Sequence, residues 1–257
     1  MSNPRPLPFE AVWEPHHRGL AFWIFDLDGT LIDIAPRPDA VVVPSELLED
    51  LQTLSRQSGG HVAVVSGRSI TDLAARFPMS DLILVGNHGA EWREGKNQRV
   101  LSPDDAALKG LAALRPQLQR LSEAVPNLLV EDKVLTLSVH VRHVAPALQP
   151  TVKEALEAWI AREPALTLRP ARACWEIRPR IGATKGDAVS ELLARQSSPL
   201  VPLIFGDDVT DEDAFLAAPP NAVTVIVGPR RPTQARYALN TPSDLRKLLR
   251  EIGRLYT

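Results

Sequence analysis

The stretch FWIFDLDGTL, residues 22–31, runs from an uninterrupted apolar segment into two acidic residues, a glycine and a threonine. A run that is apolar at every position is typical of a strand buried on both faces, in the middle of a parallel sheet covered by helices. Such a strand would deliver Asp26 and Asp28 to a loop at its carboxyl end. Ligands of open α/β sheets bind at that edge, so both carboxylates are candidate site residues.

Other segments extend this pattern along the chain. The predicted strands are 21–26, 61–67, 81–87, 201–208 and 222–228. Helical periodicity follows Ser45, Thr184 and Ser243, and Ser45 is expected to be an N-cap. Strands that alternate with helices through short connections predict a doubly wound, Rossmann-like α/β domain with a parallel sheet.

Residues between about 102 and 181 follow a different pattern. EDKVLTLSVHVRH, residues 131–143, reads as one strand with apolar and polar side chains on opposite faces, and ARACWEIRPR, 171–180, alternates in the same way. A helix is expected from Asp104 to about Ser122, kinked or split at Pro116, and another in TVKEALEAWIAR, 151–162. A sheet with helices on one face and a bare second face is typical of an α+β domain. We therefore expect a small α+β domain over 102–181, inserted into a core domain formed by 1–101 and 182–257.

Composition restricts the possible partners. The chain has 257 residues, 44% of them hydrophobic and 23% charged, and a net charge of −2. This charge gives no reason to expect nucleic acid or an anionic membrane as a partner. No apolar run approaches the roughly 18 residues that span a bilayer, and the amino-terminal segment lacks the features of a signal peptide. We expect a cytoplasmic protein; the sequence does not give its oligomeric state, and a monomer is the default.

Two local features are expected to carry no chemistry. The proline-rich opening predicts an irregular lead-in, with His16 and His17 in solvent rather than on a metal. The lone Cys174 cannot form an internal disulfide, which favours a reducing compartment. Its place in an alternating strand predicts a small packing residue rather than a nucleophile.

Polar side chains follow several predicted strands and would meet at one edge of the sheet. In chain order they are Asp26, Asp28, Ser66, Lys185, Asp207, Asp208 and Asp211. Carboxylates crowded into one crevice would repel one another, and a divalent cation with oxygen ligands, Mg²⁺, would relieve this repulsion. Lys185 and the cation together would neutralise a phosphoryl group. A simple turn at DLDGT and a helix start with capping acids at GDDVTDEDAF are the plainer alternatives.

This order of motifs resembles the haloacid dehalogenase (HAD) superfamily of phosphohydrolases, and the insert resembles its type 2 (C2B) cap. More narrowly, the motifs resemble the trehalose-6-phosphate phosphatase family over about residues 22–249. They are DLDGTL, VVSGRS, GNHGAEWR, EDKVLTLSVHVR, WEIRP, TKGDAV and GDDVTDEDAF. The resemblance implies a Mg²⁺-dependent phosphohydrolase that acts on trehalose 6-phosphate through an aspartyl-phosphate.

The resemblance also implies roles for the residues in the predicted core. Asp26 would be the nucleophile, and Asp28 would protonate the leaving sugar oxygen and then activate water. Ser66 and Lys185 would hold the phosphate oxygens. The implied magnesium ligands are the side chain of Asp26, the main-chain carbonyl of Asp28, Asp207 and, through water, Asp211.

The substrate-binding residues are likewise expectations from the resemblance. In the insert, Glu131, Lys133 and Glu176 would bind the distal sugar ring. Further candidates are Gly67, Arg68, Asn87, His140, Arg142 and Asp208. Arg68 would serve the phosphate or brace the cap, and Asp208 would orient Lys185 or a metal-bound water.

Three other functions compete with this interpretation. One is a phosphatase for another sugar phosphate, such as a sucrose, mannosylglycerate or glucosylglycerol phosphate, which would differ in the insert. The second is a receiver-like domain that accepts a phosphoryl group as a switch, although a receiver needs no substrate lid. The third is a catalytically dead sugar-phosphate sensor, against which the intact Asp26 and Asp28 count.

Overall fold

A computed structural model describes residues 3–171 and 173–255 of the chain. The chain divides into two compact units. The first runs up to Val100 and resumes at Ala183, and the second spans Leu101–Gly182.

Helices and strands alternate along most of the first unit. Before the second unit come β1 (Arg5–Pro6), α1 (Phe9–His17), β2 (Ala21–Phe25), α2 (Ser45–Gln57), β3 (Val62–Val65), α3 (Ile70–Arg76), β4 (Ile83–Gly86), β5 (Glu91–Glu94) and β6 (Asn97–Val100). The second unit contains α4 (Asp105–Ala124), β7 (Leu129–Asp132), β8 (Leu137–His140), α5 (Gln149–Ile160), β9 (Leu166–Ala171) and β10 (Cys174–Pro179). After it come α6 (Lys185–Ala194), β11 (Val201–Gly206), α7 (Asp211–Ala217), β12 (Val223–Val227), β13 (Tyr237–Leu239) and α8 (Pro242–Leu255).

The first unit is built on one sheet with the strand order β1-β13-β12-β11-β2-β3-β4-β5-β6. Pairing is parallel from β1 to β4 and antiparallel from β4 to β6. The strand β2 lies between β11 and β3, with Ile24 opposite Ile204 and Ala63. The prediction of a doubly wound α/β core is therefore confirmed.

Burial on both faces explains why β2 is apolar at every position. Trp23 and Phe25 point into one core cluster, where they stack with Phe205 of β11. Phe22 and Ile24 point into a second cluster on the opposite face. A polar residue at any of these positions would lie in a helix-covered interior, so the first polar side chain comes only after the strand ends.

The second unit is a four-stranded antiparallel sheet with the order β7-β8-β10-β9. One face packs its apolar side chains against α4 and α5 in a separate core. The opposite face carries polar side chains and Cys174. Burial raises the pKa of the Cys174 thiol to about 12, so the thiolate is strongly disfavoured and the structure supports the packing role predicted for it.

The prediction for the amino-terminal segment is wrong. The segment forms α1, and β1 pairs with β13. His16 is fully buried rather than solvated, and its Nδ1 accepts a hydrogen bond from the indole N–H of Trp23 at 3.4 Å. The proline-rich composition had suggested an irregular lead-in, but a single apolar helical face is enough to dock this segment.

The second unit corrects the strand prediction for 131–143. The chain makes a hairpin between β7 and β8, and Val134 in its turn has φ +68°. A β-branched residue is rare in this conformation, so Val134 did not indicate that the chain reverses direction here. The helix α4 also runs through Pro116 without a break.

The predicted N-cap of α2 is displaced as well: Ser45 is the first residue of the helix, and Pro44 is its N-cap. At the start of α8, the hydroxyl of Thr241 accepts the N–H of Asp244 at 3.1 Å. Among the described helices, none is both long enough and apolar enough to span a membrane.

Candidate active site

Asp26 is the first residue after β2, and the chain turns sharply in the residues that follow it. Its N–H donates to the carbonyl of Phe205, 2.9 Å away, so the carboxylate starts from a fixed point of the sheet. Gly29 then adopts φ +90°, a conformation that favours glycine. A Cβ on Gly29 would lie 2.1 Å from Oδ2 of Asp207, so only glycine allows this approach.

Lys185 is buried between two carboxylates. It opens α6, where the hydroxyl of Thr184 accepts the N–H of Asp187 and Oδ2 of Asp187 accepts the N–H of Thr184, a capping box. Nζ of Lys185 lies 2.7 Å from Oδ1 of Asp26 and 2.7 Å from Oδ1 of Asp211. The cap fixes where the lysine enters the helix, and the carboxylates fix where its ammonium ends.

Asp211 also shapes the loop that follows β11. Its Oδ2 accepts the N–H groups of Asp207 and Asp208, each at 3.0 Å. The Oδ1 atom of Asp208 accepts the N–H of Val209 at 2.7 Å. The second acid that orients Lys185 is therefore Asp211, where the sequence had suggested Asp208.

Burial and crowding both change the ionisation of the acids. Burial, reinforced by Asp211, raises the pKa of Asp26 to about 7 in spite of the neighbouring Lys185. Burial, with Asp26 and Asp211 close by, raises the pKa of Asp207 to about 9. Burial by itself would lower the pKa of the Lys185 ammonium. The attraction of Asp211 and Asp26 outweighs burial and raises this pKa.

Three of these carboxylates are arranged as a possible metal site. Asp26, Asp207 and Asp211 each offer an oxygen, and these atoms lie within 4.8 Å of one another. Among the described residues, none donates a hydrogen bond to the buried Oδ2 of Asp26. An all-oxygen donor set with an unsatisfied buried carboxylate oxygen fits a hard divalent cation.

The carboxylate of Asp28 is paired with Arg68. Its Oδ2 accepts a hydrogen bond from Nε of Arg68 at 2.6 Å, and its Oδ1 accepts one from Nη2 at 2.8 Å. Nη1 of Arg68 donates to Oδ2 of Asp72 at 2.8 Å and to the carbonyl of Pro38 at 3.1 Å. The sequence had suggested that Arg68 serves the phosphate or braces the cap; these contacts place it on Asp28.

Ser66 follows β3 and is buried. Its N–H donates to the carbonyl of Val85, and its own carbonyl accepts the N–H of His88, both at 2.9 Å. The imidazole of His88 packs against Gly67, where a Cβ would approach it to 2.6 Å. The loop after β4 thus supports the backbone at Ser66 and Gly67.

That loop has an unusual backbone. Asn87 and His88 have φ values of 45° and 58°, which are uncommon for residues other than glycine. The amide of Asn87 donates to Oε2 of Glu91 at 2.7 Å, and the same oxygen accepts the N–H of Ile70 at 2.8 Å. This contact of Asn87, predicted to bind substrate, holds the loop in shape.

In the second unit, charged side chains share the polar face of the sheet. Nζ of Lys133 lies 3.6 Å from Oε1 of Glu176, and their side chains are 7% and 8% exposed. Nε2 of His140 lies 3.1 Å from Oε2 of Glu131. Strand register places Glu131 and Glu176 on either side of Ser138, on one face. Arg142 lies exposed in the turn after β8.

A family model for trehalose-phosphatase matches residues 24–243. This match includes the Asp26 loop, the whole second unit and the Asp207 loop. The chain belongs to the trehalose-phosphatase family. Proteins of this family are HAD-type phosphoric monoester hydrolases.

Trehalose-phosphatase relatives resemble most of the chain. It is 36% identical over 206 residues to the trehalose-6-phosphate phosphatase of Escherichia coli K12, covering 75% of this chain and 71% of that protein. It is 32% identical over 243 residues to the trehalose-phosphate phosphatase of Mycobacterium tuberculosis H37Rv, covering 90% of this chain and 60% of that protein. The chain thus spans less than two thirds of the mycobacterial relative.

Solved trehalose-phosphatase structures have the same fold. The C-terminal domain of the Candida albicans trehalose-6-phosphate phosphatase matches with a TM-score of 0.85 at 23% identity, over all of both chains. A trehalose-6-phosphate phosphatase related protein matches with a TM-score of 0.79 at 24% identity, covering 91% of this chain and 98% of that one. At these identities the likeness concerns the fold.

Three residues that support this trehalose-phosphatase site were not singled out in the sequence. His88 and Glu91 lie inside the motif GNHGAEWR, whose Gly-Asn-His-Gly run was a usable signal for an irregular backbone. Asp72, which holds Arg68, lies on α3 four residues after it, at the spacing of a helical ion pair.

Proposed function

We propose that the chain hydrolyses trehalose 6-phosphate to trehalose and inorganic phosphate, with Mg²⁺ as cofactor and an aspartyl-phosphate on Asp26 as intermediate. The observation that carries this is the buried contact of Lys185 with both Asp26 and Asp211. Membership of the trehalose-phosphatase family and the names of the relatives support the substrate.

The first half-reaction transfers the phosphoryl group to Asp26. A carboxylate oxygen of Asp26 bonds to phosphorus while the bond from phosphorus to the sugar oxygen breaks, and Asp28 gives that oxygen a proton. Lys185 and the hydroxyl of Ser66 hold the non-transferring oxygens, where negative charge must be stabilised. Trehalose is released.

The second half-reaction restores the enzyme. Water gives a proton to Asp28 and bonds to phosphorus while the bond from phosphorus to Asp26 breaks. Inorganic phosphate leaves, and Asp28 is again protonated for the next turnover. Because Asp26 and Asp28 are two residues apart, the sharp turn at Gly29 lets both face the same phosphorus.

We assign the metal to Asp26, Asp207 and Asp211, whose oxygens lie together, and to the main-chain carbonyl of Asp28 that the family resemblance implies. When bound, Mg²⁺ would neutralise the crowded carboxylates and stabilise charge on the phosphoryl oxygens. Both oxygens of Asp211 already accept hydrogen bonds, which agrees with a contact to the metal through water.

The polar face of the second unit is proposed to bind the sugar. Glu131, Lys133 and Glu176 share that face, and carboxylates with an ammonium are suited to gripping neighbouring hydroxyls. His140 is held by Glu131 and would contribute through it. Gly67, Asn87, Arg142 and Asp208 are proposed as further substrate contacts, and a cytoplasmic location stays a prediction from the sequence.

A phosphate-release screen tests this proposal. The purified chain is given Mg²⁺ and a panel of disaccharide and monosaccharide phosphates, with and without EDTA. We expect repeated turnover on trehalose 6-phosphate that stops with EDTA and returns with Mg²⁺. Turnover only on another sugar phosphate would favour that substrate, and release limited to one phosphate per protein would favour a receiver-like domain.

A further inference from the structure

The side chain of Arg68 is almost entirely engaged within the protein. Two of its N–H groups hold the carboxylate of Asp28 in a bidentate pair, and the two of Nη1 go to Asp72 and to the carbonyl of Pro38. This leaves the guanidinium one N–H for any other acceptor. Two hydrogen bonds to a phosphate would therefore require Arg68 to give up at least one of these contacts.

Burial places Arg68 behind Asp28. The side chain of Arg68 is 8% exposed, whereas that of Asp28 is 32% exposed. A substrate can reach the carboxylate without reaching the guanidinium. Each carboxylate oxygen accepts one hydrogen bond from Arg68 and keeps a lone pair on its open side.

We infer that Arg68 is a positioning residue: it fixes the plane of the Asp28 carboxylate so that an oxygen faces the leaving group of the substrate. This inference rests on the proposed function and on Asp28 as its general acid. A planar guanidinium that makes two parallel hydrogen bonds fixes a carboxylate in position and in rotation, which a single contact cannot do.

The supporting contacts make Arg68 itself rigid. Asp72 lies on α3, four residues after Arg68, and also binds Arg76, at 3.0 Å from Nε and 3.0 Å from Nη2. Arg76 in turn donates to the carbonyls of Val41 and Pro38. Arg76 thus shares Asp72 and the Pro38 loop with Arg68, whereas the bidentate pair with Asp28 is made by Arg68.

Leaving-group chemistry distinguishes positioning of Asp28 from binding of phosphate. A sugar alkoxide is a poor leaving group and needs a proton as the bond to phosphorus breaks, whereas p-nitrophenolate leaves without one. Loss of a well-placed general acid should therefore slow phosphoryl transfer to Asp26 from sugar phosphates far more than from p-nitrophenyl phosphate, whereas the later hydrolysis of the aspartyl-phosphate is common to both substrates. Loss of a phosphate ligand should slow both, because both substrates carry the same phosphoryl group.

The experiment compares Arg68→Ala with the wild-type chain on trehalose 6-phosphate and on p-nitrophenyl phosphate, both with Mg²⁺. We expect kcat/KM on trehalose 6-phosphate, which reports only the steps up to formation of the aspartyl-phosphate, to fall by about 10²-fold, within the range of general acid catalysis. We expect only a few-fold change in kcat/KM on p-nitrophenyl phosphate. Adding Arg68→Ala to Asp28→Asn should cause little further loss, because the two residues act as one unit.

Arg76→Ala is the matched control: it removes the second guanidinium on Asp72 but keeps the bidentate pair of Arg68 with Asp28, so it should cost much less kcat/KM on trehalose 6-phosphate than Arg68→Ala. Equal losses of kcat/KM on both substrates would overturn the inference and make Arg68 a phosphate ligand. A parallel loss in Arg76→Ala, with lower melting temperatures in both variants, would reduce Arg68 to a structural role. If Arg68→Ala does not fold, Arg68→Lys decides by the same ratio, since it keeps the charge but not the bidentate pair.

This outcome can be separated from that of the proposed function. The wild-type rate on trehalose 6-phosphate tests the proposed function, whereas the ratio of losses in the variant tests Arg68. If another sugar phosphate proves to be the substrate, it replaces trehalose 6-phosphate in the comparison, because its leaving group is also an alcohol.

Discussion

Nζ of Lys185 lies 2.7 Å from Oδ1 of Asp26, although the two residues are 159 positions apart in the chain. Both side chains are buried, with exposed fractions of 4% and 7%. A buried ion pair costs desolvation energy that offsets much of the attraction between its charges. The role of the Lys185–Asp26 pair is chemical, because it holds a cation beside the carboxylate that we propose as nucleophile.

Asp26→Asn should abolish turnover, because an amide oxygen is too weak a nucleophile to accept the phosphoryl group. The fold should persist, since the amide still fits between Lys185 and the end of β2. Phosphate release and circular dichroism measure the two effects. Asp33→Asn, an exposed acid seven residues later, is the control, and normal turnover in Asp26→Asn would refute the assignment.

Lys185→Met should weaken the fold as well as the activity. The carboxylates of Asp26 and Asp211 would lose their shared counter-charge, and removing one partner of a buried pair typically costs about 3–5 kcal/mol. Urea unfolding of the protein without added metal measures this free energy. Lys247→Met, at an exposed ion pair, should cost less than about 1 kcal/mol; similar losses in the two variants would contradict the role of burial.

Gly29→Ala should impair the response to Mg²⁺ in a way that backbone strain alone does not. Its Cβ would collide with Oδ2 of Asp207 at 2.1 Å. Gly60 has a nearly identical φ of +88° with open space around its Cβ position, so Gly60→Ala is the matched control. Both should lose about 1–2 kcal/mol of stability from the left-handed backbone.

Only Gly29→Ala should also lose phosphatase activity and the rise in melting temperature that Mg²⁺ produces. Activity and thermal unfolding with and without Mg²⁺ give both readouts. Loss of the Mg²⁺ response in Gly60→Ala would show that strain, rather than contact with Asp207, is responsible.

Glu176→Gln and Glu131→Gln should each lower the preference of the enzyme for a sugar phosphate over an aryl phosphate. We expect kcat/KM for trehalose 6-phosphate to fall by about 10–100-fold, the effect of one charge-assisted hydrogen bond of about 1.5–3 kcal/mol. Hydrolysis of p-nitrophenyl phosphate, which has no sugar, should change little. Glu123→Gln, at an exposed position of α4, is the control. Equal losses on both substrates would remove this face from the sugar site.

His16 should make the fold sensitive to acid. Burial holds its pKa below the usual 6.5, and its Nδ1 accepts a hydrogen bond from Trp23. A depressed pKa means that the unfolded chain takes up a proton first, so stability is present above about pH 6.5 and is lost as the pH falls below it. His16→Gln should flatten this loss.

Melting temperatures of wild type and His16→Gln between pH 7.5 and 5 provide the test. The contribution should be about 1 kcal/mol, the scale of one buried hydrogen bond. His17→Gln changes the exposed neighbour and should keep the wild-type slope. An unchanged slope in His16→Gln would show that other groups govern the acid transition.

Local sequence was sufficient for much of the core. Runs such as 201–208 and 222–228 were recognisable because a strand buried on both faces has no place for polar residues. The helix after Thr184 was recognisable from its apolar periodicity, and the structure adds a capping box formed by Thr184 and Asp187. Both signals depend only on neighbours within the chain.

The hairpin at Val134 and the burial of His16 were missed for the opposite reason. Val134 is held in a left-handed conformation by the pairing of β7 with β8 and by Oδ1 of Asp132, which accepts its N–H at 2.9 Å. His16 is buried because α1 packs beside Trp23 of β2. In both cases contacts made after folding outweigh the local preference of the residue.

Residue patterns were enough to show that acidic residues follow buried strands, because a continuous apolar run can end only where the chain leaves the interior. The pairing of these acids, Asp26 and Asp211 with Lys185 and Asp28 with Arg68, became visible only in the folded chain. Charge attraction depends on distance through space, and strands adjacent in the sheet come from distant parts of the chain. The sequence therefore supplied the carboxylates, and the order of strands in the sheet assigned each one its partner.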